Sequence, residues 1–126
     1  MVYVPNAGLE YLARYSGQQT AGYFGWLALD DGTTVEAAGT TALTSEITTD
    51  GGERQAAVAT YEASYKAVWE ANYTFTGASF TIEGCGLFDQ LAVGGDVLMV
   101  HLFAAAKNVD SGETMELIMK LQFARP

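Results

Sequence analysis

The residues that could carry out chemistry in this chain are few and scattered. One histidine, His101, stands in an apolar run; one cysteine, Cys85, lies between Gly84 and Gly86; and carboxylates gather between Asp30 and Glu53. A histidine acting as a general base works with a nucleophile and an orienting carboxylate, and no spacing here places them together. Structural zinc asks for clustered cysteine and histidine, whereas this chain offers one of each, at positions 85 and 101. Asp30-Asp31-Gly32 and Asp50-Gly51-Gly52-Glu53 carry oxygen donors but lack the alternating carboxylates of a wrapped calcium loop, and turns explain both. Gly84-Cys85-Gly86 is followed by neither the lysine and hydroxyl nor the helix of a phosphate loop. A pair of carboxylates for glycoside cleavage meets in space and not in sequence, so spacing is silent on it. The expectation is a chain that is not an enzyme, with no cofactor, no metal, and structural roles for both His101 and Cys85.

Charge narrows the partners. With 15 acidic residues against 6 basic ones, the formal charge is −9. That balance opposes binding to nucleic-acid phosphates or an anionic membrane. Asp30, Asp31, Glu36, Glu46, Asp50 and Glu53 precede Arg54 with no basic residue among them. They read as a solvated, mutually repelling loop face. A lone cysteine excludes an internal disulfide. No basic segment followed by an apolar run opens the sequence, and no apolar stretch reaches membrane-spanning length. A soluble protein made in the cytoplasm without a signal peptide is expected.

The elements that must hold these residues are mostly strands. From Lys66 to Thr76 the odd positions Ala67, Trp69, Ala71, Tyr73 and Phe75 are apolar and the even ones polar, apart from Val68. Such period-two alternation belongs to a strand with one buried face. Thr76-Gly77-Ala78-Ser79 then links it to Phe80-Thr81-Ile82, which reads as a β-hairpin. Tyr23–Leu29 is an aromatic-rich strand closed by Asp30-Asp31-Gly32. In the long Thr/Gly-rich segment that follows, Leu43 and Ile47 stand four apart, as in a single helical turn pinning a loop to the core. Arg54–Ser64 alternates weakly, its alanines leaving room for Trp69. Two glycines around Cys85 imply a bulge or a close backbone approach. Gly94-Gly95 and Asp110-Ser111-Gly112 are turns. Val97–Ala104 reads as a strand covered on both faces, and Met115, Leu117, Met119, Leu121 and Phe123 alternate along the last strand.

Ahead of these, residues 1–5 form an extended arm, and Asn6 is a good N-cap for a short helix over 6–16, with Gly17 as its stop. Tyr11 and Tyr15 lie one turn apart, to pack on the core or to face a partner. The apolar arm, with Val2, Tyr3 and Val4, could add as a strand to a neighbour's sheet edge or fold on its own domain. These five residues are the candidate interface. The whole, residues 1–126, is one domain with its β core over 22–124. About six strands with turns between them fit an antiparallel β-sandwich of jelly-roll-like type better than a barrel.

The order of segments carries a resemblance. An NAGLEYLARY helix, a GWLAL strand and a TTALTSEI segment come first. GGERQAA, the ANYTFTGASFTIEGCGLFD pair, GGDVLMVHLFAA and VDSGETMELIMKLQF follow. This succession, from about Asn6 to Phe123, resembles a family of small structural proteins of tailed bacteriophages, head decoration or tail-associated β-sandwiches. It departs from the pattern at Cys85, where a small or β-branched residue is expected. The resemblance implies a virion component, foremost a capsid decoration (cement) protein bound to the major capsid protein. It also implies a homo-oligomer, with a trimer favoured, and no catalytic residues. A tail, baseplate or fibre-base part is the alternative. A glycan-binding β-sandwich that stacks sugars on exposed Tyr or Trp is a further one.

Overall fold

A computed structural model describes residues 3–9, 24–63 and 66–123. Among these residues seven strands follow in order: β1 (Trp26–Asp30), β2 (Gln55–Ala56), β3 (Val58–Glu62), β4 (Lys66–Thr74), β5 (Phe80–Phe88), β6 (Val97–Val109) and β7 (Thr114–Gln122). They form two antiparallel sheets, one ordered β2-β1-β5-β6 and the other β3-β4-β7. The fold is the expected β-sandwich.

The alternation in β4 does what its period requires. Ala71, Tyr73 and the following Phe75 are buried while Glu70, Asn72 and Thr74 are exposed. Leu117 and Met119 of β7 add to the same inner face, opposite Leu27, Leu29, Leu87 and Met99 of the larger sheet. Two polar contacts stitch the layers. The buried Tyr73 hydroxyl donates to the Leu27 carbonyl at 2.6 Å, and Trp69 Nε1 donates to the Phe24 carbonyl at 3.2 Å. Each satisfies a polar atom that burial would otherwise leave costly. Ala59 stands directly across from Trp69, as the alanine-rich sequence of β3 suggests.

The larger sheet is covered on its outer side as well. Ala28, Leu43, Phe88, Val97 and Val100 form a second cluster there, with Tyr3 and Trp26 packed against it. This explains why Leu27–Asp30 of β1 is buried at every position and why β6 is buried at Val97–Val100. The rest of β6 runs beyond that cover, and residues 104–108 are exposed.

Three sequence expectations change. The β4–β5 hairpin is not formed: β4 pairs with β3 and β7, β5 with β1 and β6. Residues 75–79 instead arch from one sheet to the other. Phe75 exchanges backbone hydrogen bonds with Glu113 (3.0 Å) and Gly112 (2.6 Å), and Thr76 N–H donates to the Asp50 carbonyl (3.0 Å). Gly51, at φ +88°, lies so close to Thr74 that a Cβ would sit 1.9 Å from its carbonyl oxygen. Only glycine allows that approach. Leu43 and Ile47 are buried as expected, but the segment between them holds a turn and an isolated Asp30–Glu46 bridge, with no helical turn. Its backbone bonds to Leu29 and Asp31 in an extended pairing and not to itself. The first strand begins at Trp26, and Tyr23 lies outside the described residues. Of the expected N-terminal helix, residues 6–9 are described and helical; the remainder lies outside the described residues.

Candidate functional site

The ladder between β5 and β6 places Cys85 directly opposite His101, the pairing that a thiol nucleophile would need. Its surroundings act against that chemistry. Cys85 is 1% exposed, and burial, with Glu36 and Asp30 adding like charge, pushes its thiol up to about 12. A reactive thiolate requires the opposite shift. His101 turns its Nδ1 toward Glu36 Oε1 at 3.3 Å, and its ring meets the edge of Phe103 at 5.6 Å. Glu36 Oε1 also accepts from the Leu102 N–H at 2.6 Å. His101 and Glu36 thus tie the long loop to β6. Among the described residues no three of His, Cys, Asp and Glu converge as a metal-binding group.

The loop carboxylates are not the uniformly solvated face that their spacing suggests. Asp30 is fully buried; its carboxylate accepts from the Thr34 hydroxyl, from Ser45 N–H at 2.8 Å and from Gly32 N–H at 3.1 Å. Glu46 pairs with Arg54 in a bidentate fork, Nε to Oε2 at 2.7 Å and the terminal nitrogen to Oε1 at 2.8 Å. The other terminal nitrogen of Arg54 donates to the carbonyls of Gln90, Ala92 and Gly94. The guanidinium lies 3.9 Å from the centre of the Phe88 ring. Three of the six acids, Asp30, Glu36 and Glu46, therefore anchor the loop. Asp30 draws two of its donors, Gly32 and Thr34, from its own turn, while Ser45, Arg54, Leu102 and His101 reach these acids from further along the chain.

The candidate interface divides. Tyr3 and Val100 exchange both backbone hydrogen bonds, each at 2.9 Å, so the described part of the arm lies along its own β6. Val4 packs against the core. Gly8 sits against Leu98, where a Cβ would come 2.3 Å from the carbonyl oxygen. Val2, Tyr11 and Tyr15 lie outside the described residues.

The described surface has its apolar exposure elsewhere. Val58 and Tyr61 on β3 are 65% and 72% exposed, and Phe123 beyond β7 is 54% exposed. Tyr61, Ala67 and Phe123 border an apolar groove of about 540 Å³. Alternation sets Tyr61 on the same face as Ala59, and Phe123 on the same face as Leu121 and Met119, yet both stand exposed. No family model matches the sequence, and no curated protein matches it either.

Proposed function

We propose that this chain is a structural protein of a bacteriophage virion, a decoration protein that binds the outer head surface and stabilises it. The observation that carries the reading is the apolar flank of the smaller sheet, where Tyr61 and Phe123 stand exposed around a groove. Apolar surface gathered in this way belongs to proteins that complete their burial against another molecule. The order of sequence segments that resembles phage structural β-sandwiches supports the major capsid protein as that molecule. A protein bound across neighbouring capsid subunits favours the assembled shell by mass action. Association of its own copies would multiply the contacts.

Quantitative mass spectrometry of purified particles tests the reading, together with imaging of where the chain lies. Decoration gives hundreds of copies on the head and heads that lose genome more readily when the protein is missing. A few dozen copies confined to the tail would instead make it a tail or baseplate component. Absence from purified particles would overturn both.

A further inference from the structure

The four sheet edges are not equally protected. The β2 edge is two residues long, and β6 is bridged by the arm at Val100. The β3 edge is five residues long. The β7 edge runs for nine residues, Thr114–Gln122, and no described strand pairs with its outer side. It carries no proline and no inward-pointing charge, two of the usual means of blocking an edge, and its two charged side chains, Glu116 and Lys120, lie on the outer face. Beside it an apolar cleft of about 410 Å³ opens between the sheets, lined by Phe103, Leu117, Ile118 and Met119 among others.

We propose that β7 pairs antiparallel with β7 of a second copy across a twofold axis at Ile118, joining the two smaller sheets into one continuous six-stranded sheet. The support is the strand's own charge pattern. Centring the axis on Ile118, the middle of Thr114–Gln122, overlaps all nine residues. In that register Glu116 of each copy stands opposite Lys120 of the other, and Ile118 meets itself on the outer face. On the inner face Leu117 meets Met119, and Met115 meets Leu121. Directly opposed unlike charges favour a cross-strand pair, and like charges oppose it. Moving the axis by one residue in either direction sets Glu116 against Ile118 or Gln122 and loses both charge pairs. Lys120 already reaches Glu62 at 2.9 Å, yet its side chain is 48% exposed and lies at the cleft mouth, open to a second carboxylate. A twofold contact is isologous, so a single self-complementary strand suffices.

This inference does not rest on the virion reading, because the contact would form between purified copies. Sedimentation equilibrium over a concentration series tests it. Wild type is expected to dimerise, Glu116→Lys and Lys120→Glu each to weaken association at least tenfold, and the double exchange to restore it. Ile118→Cys supplies a second measurement. Directly opposite antiparallel residues have Cα atoms about 4.5 or 5.5 Å apart, inside the range that a disulfide spans. Mild oxidation should therefore link Ile118→Cys chains in pairs, while the buried Cys85 of wild type links none. A wild-type chain that stays monomeric, a trimer indifferent to the charge exchanges, or an Ile118→Cys variant that does not cross-link would overturn the proposal.

Discussion

Arg54 and Glu46 form a bidentate ion pair whose side chains are only 2% and 8% exposed, and the same guanidinium holds three carbonyls of the loop after β5. One side chain thereby joins the long acidic loop, the start of β2 and the β5–β6 connection. Removing either partner of such a pair leaves the other charge buried without compensation.

Arg54→Ala should therefore lower the unfolding free energy by about 3–5 kcal/mol, read by urea denaturation. Arg54→Lys should recover little of it, because an ammonium cannot present the planar fork that serves both Glu46 and the carbonyls. Near-wild-type stability of either variant would contradict the role given to the pair.

Asp30→Ala should cost about 2–3 kcal/mol, the range for leaving buried partners of a charged acceptor unmatched. The loss should be local in character: hydrogen exchange of the Gly32 and Ser45 amides should accelerate far more than that of Leu117 or Met119. Uniform acceleration across both sheets would show that Asp30 does not act through the loop.

Alkaline pH should destabilise the fold. The Cys85 thiol is pushed from its ordinary 9.0 up to about 12 by burial, and the Tyr73 hydroxyl is also pushed upward, first by burial. Between pH 9 and 12 the unfolded chain loses the thiol proton while the folded chain keeps it, so stability falls as pH rises. Chemical denaturation at stepped pH should show a plateau below about pH 8 and a decline above 9, shallower in Cys85→Ala. A thiol reagent should modify Cys85 only in denaturant.

Gly84→Ala should be destabilising by about 1–3 kcal/mol, the range for overpacking. The added Cβ would lie 2.5 Å from the His101 carbonyl oxygen, an atom of the neighbouring strand that cannot swing aside. The ladder shifts register between Ile82 and Gly84, so the close approach sits beside an irregularity. A thermal melt identical to wild type would remove the steric account.

Much of this was legible because strand periodicity is written residue by residue. Ala71, Tyr73, Leu117 and Met119 declare their face through neighbours two positions away. The two glycines around Cys85 announce a bulge for the same local reason. The β4–β5 connection was not legible: a short glycine-containing link looks alike whether the chain doubles back or arches to the opposite sheet. What decides it is the binding of residues 75–76 by Asp50, Gly112 and Glu113, all far away along the chain. Asp30 and Glu46 look solvated in the sequence for a related cause, since burial of a carboxylate also depends on donors that folding brings to it, here Ser45 and Arg54. Tyr61 and Phe123 fit the inward-facing pattern, yet that pattern cannot tell where the covering layer stops.

The arch at residues 75–79 and the turn at 110–113 both carry the chain from one sheet to the other. No contiguous half of the polypeptide can therefore assemble a finished layer. During synthesis β4 waits for its nine-residue neighbour β7 until some forty residues later have emerged (Thr74 to Thr114). Such long-range closure slows folding and makes it all-or-none. A nascent or truncated chain ending before Thr114 would expose the inner face of Trp69, Ala71 and Tyr73, a ready target for chaperones and proteases.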